Sequence, residues 1–213
     1  MKFSPRAVIF DWDNTLIDSW GTIGEAVNHV RGKFGLQTWN RKEILENCNR
    51  SARDSFPDWF GKNWKEAYNE FYRVFNEARA RRGIIPIPGV VELLSALNKA
   101  KIPVMVVSNK RGDHLREEAK TLGWSEFFTA IVGAGDAARD KPDKEHALHA
   151  LRMSGFDKGS PDILFIGDGE TDIVCARAAG CTPLYLGTEE MAKKLNVKMF
   201  AADCIEVMNL ITI

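Results

Sequence analysis

The chain carries no surplus of either charge: 29 lysines and arginines stand against 29 aspartates and glutamates. A formally neutral chain has no global attraction for nucleic acid or an anionic membrane, so any anion it binds must meet local charge. Cysteine is scarce and unpatterned. Cys48, Cys175, Cys181 and Cys204 form no CxxC and share no zinc-ligand spacing with the histidines. That argues against a disulfide scaffold or a zinc module, and for reduced, buried thiols in a cytoplasmic protein. Long apolar runs are missing too: stretches such as VMVV at 104–107 are far short of the roughly 20 residues of a membrane span. The opening segment MKFSPRAVIFDWD has a short apolar run followed at once by acids, so no signal peptide is expected. Internal repeats and low-complexity segments are also absent.

What is present is an ordinary globular composition, 45% apolar and 27% charged over 213 residues. That length suffices for one full domain and something smaller. Short apolar runs recur at Ala7–Phe10, Pro103–Val107, Ala130–Gly133, Asp162–Gly167 and Thr182–Gly187. They are continuous rather than alternating, as in strands covered on both faces. Helical patterns between them, at 90–100 and 144–153, predict βαβ units. The expected fold is therefore α/β, a parallel sheet whose ligands bind beyond the carboxyl ends of its strands.

The spacing breaks once. From Phe10 to Pro103 the gap far exceeds the dozen or so residues of a crossover. Within it Trp20, Ile23, Val27, Val30 and Phe34 step by three and four, as do Trp64, Tyr68, Phe71, Phe75 and Ala78. Each series marks one apolar face of a helix. With a third short helix near Glu43–Cys48, they predict a small all-helical domain over residues 18–84, inserted into a core of residues 1–17 and 85–213. Pro86 and Pro88 stiffen the linker on the return. The basic run at 78–83 closes the second long helix: its charges suit the carboxyl end of the helix dipole and Gly83 suits the cap.

Residues just past the strands make an informative set: Asp11 and Asp13, then Ser108 and Asn109, then Lys141 ahead of Pro142, then Asp168 and Asp172. A parallel sheet brings them to one edge. Asp11 and Asp13 would point the same way along a continued strand, and like charges that close need a metal ion or a shared proton. Oxygen ligands from Asp11, Asp168 and the backbone carbonyl of Asp13 suit Mg²⁺, with Asp172 supporting them from the first turn of the next helix. Ser108, Asn109 and Lys141 would hold phosphate oxygens. Asp11 is then the nucleophile of a phosphoryl transfer, and Asp13 the acid for the leaving oxygen and the base for water. The expected catalytic set is Asp11, Asp13, Ser108 and Lys141; the expected metal set is Asp11, Asp13, Asp168 and Asp172.

DWDNT at 11–15, SN at 108–109, KP at 141–142 and GDGETD at 167–172 resemble the four ordered motifs of the haloacid dehalogenase-like (HAD) hydrolase superfamily. The likeness covers nearly the whole chain, and the inserted helices resemble that superfamily's type C1 cap. The resemblance implies a Rossmann-like core, a Mg²⁺-dependent aspartyl-phosphate mechanism, and a cap that closes over a small phosphorylated metabolite. It implies no nucleic-acid or membrane partner and a monomer or homodimer. SNK at 108–110 and RDKPD at 139–143 are most similar to the phosphoglycolate phosphatase-like group, which suggests a substrate of the phosphoglycolate or sugar-phosphate type. Asp13 argues against the dehalogenase branch, which lacks an acid there, and against phosphonate hydrolases, which use a cap lysine. A β-phosphoglucomutase-like mutase shares the motifs and stays open. A catalytically silent binding module would require a missing catalytic group, and none is missing.

Asn109, Lys110, Arg50 and Arg53 are the expected substrate contacts. Arg50 and Arg53 fall in NCNRSARDSF, read as a loop between cap helices, where each either reaches an anion or stays solvated. Trp20, Trp39, Trp59 and Trp64 lie in the cap or at its edge; helical spacing assigns Trp20 and Trp64 to core packing rather than to stacking on a bound ring. The histidines form no ligand set with one another and are expected at surface or structural positions.

Overall fold

The computed structural model describes residues 2–213. Its strands are β1 (Ala7–Phe10), β2 (Ile17–Asp18), β3 (Ile85–Pro86), β4 (Val104–Arg111), β5 (Ala130–Ala134), β6 (Ile163–Gly167), β7 (Thr182–Leu186) and β8 (Met199–Ala201). Six of them form one parallel sheet in the order β5-β4-β1-β6-β7-β8. β1 runs through its middle and every residue of it is fully buried, which is why its sequence is apolar without alternation. Val8 and Phe10 pack on one face with Leu93, Leu97, Leu115 and Val207. Ala7 and Ile9 pack on the other with Ala147, Leu151 and Cys175. The first group of partners comes from α5 (Val90–Lys99), α6 (Gly112–Thr121) and α10 (Cys204–Leu210); the second comes from α7 (Lys144–Met153) and α8 (Glu170–Ala179), and α9 (Glu189–Lys194) precedes β8.

All five expected strands are present, with three additions. β8 extends the sheet edge beside β7, a three-residue strand too short to carry a pattern of its own. The return linker is half of an antiparallel ribbon, Ile17 opposite Pro86 and Asp18 opposite Ile85. Two residues per strand, one of them proline, leave almost no strand signal. Finally, β4 continues through Ser108 to Arg111 with a register shift after Val107, so Ser108 and Asn109 lie within the strand's irregular end rather than beyond it.

The helical insertion holds α1 (Trp20–Lys33), α2 (Arg41–Asn47), α3 (Ala52–Phe60) and α4 (Trp64–Arg82). α2 opens on a capping box between Asn40 and Glu43. The stretch read as a loop, residues 47–56, runs into the first half of α3, which carries Pro57 inside it and so loses a backbone hydrogen bond. Aromatic packing holds it in place: the Phe56 ring meets Trp59, Phe60, Tyr68 and Phe71 at centroid distances of 5.1–6.0 Å. Among the described residues no helix is long and apolar enough to cross a membrane. The four cysteines are free thiols, three of them buried.

Candidate active site

Phe10 is paired with Val106 on one side and Ile166 on the other, so β1, β4 and β6 reach the same edge together. The Asp11 N–H still bonds the Ile166 carbonyl, at 2.9 Å. Beyond it the chain turns sharply. Asn14 takes a left-handed conformation (φ 64°), which asparagine tolerates, and its side-chain oxygen accepts the Ser19 N–H at 3.1 Å.

Lys141 lies between two of the expected acids. Its Nζ donates to Asp11 Oδ1 at 2.5 Å and to Asp172 Oδ1 at 2.6 Å, and its side chain is buried. Asp172 sits in the first turn of α8, where its other oxygen accepts the Gly169 N–H at 3.0 Å. Gly167 permits that approach, because a Cβ there would lie 2.3 Å from the Asp172 carboxyl carbon. Thr15 Oγ1 donates to Asp168 Oδ1 at 3.2 Å. Oxygens of Asp11, Asp168 and Asp172 all fall within 4.8 Å of one another.

Three carboxylates share this floor with one ammonium. Burial pushes the Asp11 carboxyl up to about 7, Asp172 and Asp13 adding to the rise against the pull of Lys141. Burial also raises Asp168 well above the ordinary range, with Asp11 and Asp172 repelling its charged form. Burial pulls Lys141 down, but Asp11 and Asp172 outweigh it and hold the ammonium above its usual value. Carboxylates held this close ionise together only beside a compensating cation, and this largely buried set of hard oxygens fits a divalent ion such as Mg²⁺.

Asp13 stands outside that cluster. Its Oδ1 accepts from Lys110 Nζ at 2.7 Å, and the same ammonium donates to Glu118 at 2.6 Å. Glu118 also accepts the indole N–H of the buried Trp12 at 2.8 Å. Lys110, expected to touch substrate, lines the cavity but has its ammonium committed to two acids. Burial lowers it, and Asp13 with Glu118 more than restore it. The Ser108 hydroxyl accepts the Lys110 N–H at 3.2 Å. The Asn109 side-chain amide donates to the carbonyls of Asn49 and Lys141, both at 3.1 Å, linking the insertion to the core.

The two arginines of the insertion separate. Arg50 lines the cavity, held by Asp58 and the Asp54 carbonyl at 3.2 Å each. Arg53 lies in the first turn of α3 rather than in a loop and does not line the cavity. It makes a two-pronged pair with Asp140 at 2.6 and 2.8 Å. Trp20 also departs from expectation: it lines the cavity instead of joining the insertion's core, whereas Trp64 packs against that core. The cavity, about 160 Å³, has the acids at its floor and aromatic and aliphatic side chains from the insertion above.

Sequence reasoning missed Glu118 and Asp140, and it named no partner for His146, expected at a surface or structural position. His146 is fully buried on α7. Its Nδ1 accepts the Lys141 N–H at 3.0 Å, and its Nε2 lies 3.1 Å from the Gly133 carbonyl, the hydrogen-bonding pattern of the Nε2–H tautomer. One signal was present: His146 shares the buried face of α7 with Ala147, Ala150 and Leu151. A titratable residue in an apolar stripe asks for a partner.

Residues 8–185 match the family model described as haloacid dehalogenase-like hydrolase. A phosphoglycolate phosphatase of Photorhabdus laumondii is 30% identical over 187 residues, covering 83% of this chain and 77% of the relative. One from Chromobacterium violaceum is 28% identical, covering 85% of each. A solved HAD-superfamily hydrolase from Ehrlichia chaffeensis, 28% identical, superposes with a TM-score of 0.67 over 98% of this chain and 97% of that one. With the order of its motifs, the sheet that gathers them and these likenesses together, the chain belongs to the haloacid dehalogenase-like hydrolase family.

Proposed function

We propose that the chain is a Mg²⁺-dependent phosphatase of small phosphomonoesters that passes the phosphoryl group through Asp11. The observation that carries this reading is the Lys141 ammonium bridging Asp11 and Asp172 beside Asp168. It leaves Asp11 one oxygen free while Lys141 fixes the other. Family membership and relatives named phosphoglycolate phosphatase support phosphoric monoester hydrolysis as the class of chemistry. Residues 18–84 act as a cap over a core of residues 1–17 and 85–213, and the protein works in the cytoplasm as a monomer or homodimer.

Asp11, Asp168 and Asp172, with the Asp13 backbone carbonyl, would hold Mg²⁺, which supplies neutralisation of the phosphate's charge. The free oxygen of Asp11 attacks phosphorus, forming an O–P bond as the ester P–O bond breaks. Asp13 gives its proton to the leaving oxygen and then takes one from the water that attacks the aspartyl-phosphate, releasing inorganic phosphate and restoring Asp11. Lys110 and Glu118 restrain the Asp13 carboxylate. Ser108 and Lys141 steady the phosphate oxygens, while the Asn109 amide ties Asn49 to the Lys141 backbone.

The test is phosphate release from a phosphomonoester panel with Mg²⁺ and with chelator. Asp11→Asn is expected to lose at least about a thousandfold in kcat at an unchanged melting temperature. Substantial turnover by that variant would mean a different nucleophile. A mutase would instead isomerise a sugar phosphate, release little phosphate and require a bisphosphate activator.

A further inference from the structure

Glu118 stands where the pattern of α6 calls for an apolar residue. It shares the buried face of that helix with Leu115 and Ala119, whereas its neighbour Glu117 is exposed. Its carboxylate meets the ammonium of Lys110, and both residues are buried. A buried ion pair gains little over apolar side chains of the same volume, because both charges give up their water. Stability is thus a weak reason for this pair, and its geometry offers a stronger one.

A single oxygen gathers two contacts. Glu118 Oε2 accepts the Trp12 indole N–H at 2.8 Å and a proton of Lys110 Nζ at 2.6 Å. Lys110 Nζ also donates to Asp13 Oδ1 at 2.7 Å. Trp12 is the residue before Asp13, so the path from Asp13 through Lys110, Glu118 and Trp12 closes on itself. The carboxylate of Asp13 and the backbone beside it are therefore tied to one point on α6. Lys110 rises from the irregular end of β4, and its long stem has many rotamers until Glu118 selects one. α4 covers the pair from the insertion. The Phe75 ring centre lies 5.1 Å from Lys110 Nζ, and Arg79 Nη1 lies 3.5 Å from Glu118 Oε1. Away from water such a network is stronger and more rigid.

Resting on the phosphatase reading, in which Asp13 protonates the leaving oxygen, we infer that Glu118 is a positioning residue for that step. Through Lys110 and Trp12 it holds the Asp13 carboxyl in the orientation that serves the leaving group. Glu118 itself does not line the cavity. The effect of losing it depends on what leaves. Ethanol must depart with a proton, whereas acetate departs as a stable anion. Ethyl phosphate and acetyl phosphate therefore differ in their need for Asp13 while presenting groups of similar size.

The test compares kcat/KM for these two compounds with Mg²⁺, since that constant reports on steps up to cleavage of the P–O bond. Asp13→Asn sets the scale: a loss of at least about a hundredfold on ethyl phosphate and under about threefold on acetyl phosphate is expected. Glu118→Gln keeps an acceptor for the indole but not the charge. It is expected to lose at least about tenfold on ethyl phosphate and under about threefold on acetyl phosphate. Lys110→Met combined with Glu118→Gln removes both charges together; it is expected to show the same split and is read where the single variant does not fold. Equal losses on the two compounds, no loss on either, or failure of both variants to fold would overturn the inference and leave the phosphatase reading standing. Equal losses in Asp13→Asn would overturn the acid role of Asp13 and the inference with it. No turnover of either compound by the unaltered protein would overturn the phosphatase reading itself.

Discussion

Lys141 owes its position partly to a side chain that takes no part in the chemistry. His146 accepts the Lys141 backbone N–H through Nδ1 and faces the Gly133 carbonyl through Nε2, so one imidazole joins the Lys141 loop to the end of β5. That geometry requires the neutral ring. Burial, with the nearby Lys141 charge, pulls His146 down from 6.5 to about 4. Between those two values the unfolded chain binds a proton that the folded chain refuses, so stability rises with pH through the window and is lost as pH falls through it. The contribution is about 3 kcal/mol at neutral pH. Chemical denaturation at pH 7 and pH 4.5 measures it. The difference between those two stabilities is expected to shrink in His146→Gln, and an unchanged difference would show that the ring is not held neutral.

Among the elements, α3 links the insertion to the site most directly. Arg53 in its first turn grips Asp140 with two hydrogen bonds, and Asp140 immediately precedes Lys141. Asp140 is fully buried as a side chain, and its Oδ1 also accepts the Gly135 N–H at 3.1 Å. Arg53→Ala leaves that carboxylate short of a partner and is expected to cost about 2 kcal/mol of stability. A loss of about tenfold in kcat/KM is expected with it, from Lys141 held less firmly. Arg53→Lys should recover only part of both, since a single ammonium cannot make the two-pronged contact. Melting curves and steady-state kinetics of the two variants check this. α3 also shows what sequence pattern misses. Its polar first turn, Ala52–Ser55, read as loop, and the ring packing of Phe56 against α4 holds it as a helix. Ala7–Phe10 and Ile163–Gly167 were legible because two-sided burial demands unbroken apolar runs. β2, β3 and β8 were not, since their few residues are held by neighbours rather than by pattern.

Across the whole molecule, the acid cluster was legible where particular residue types stand close together in sequence. Asp168 with Asp172 is such a pair, and the parallel sheet brings both to Asp11, whereas Asp13 stands apart on Lys110. The supporting contacts were illegible because they join residues far apart in the chain: Lys110 to Asp13, Arg53 to Asp140, Trp12 to Glu118. No local spacing encodes them. The apolar wall lay between these cases. Its helical periodicity was plain, yet Trp20 turns toward the cavity while its periodic partner Val30 packs inside the insertion. The central claim is that these converging groups make Asp11 the phosphoryl acceptor. Acid quench during steady-state turnover, followed by proteolysis and mass spectrometry, tests it most directly. A phosphoryl group on the peptide containing Asp11, absent from Asp11→Asn, is the expected result; a phosphoryl group on any other residue would contradict the account.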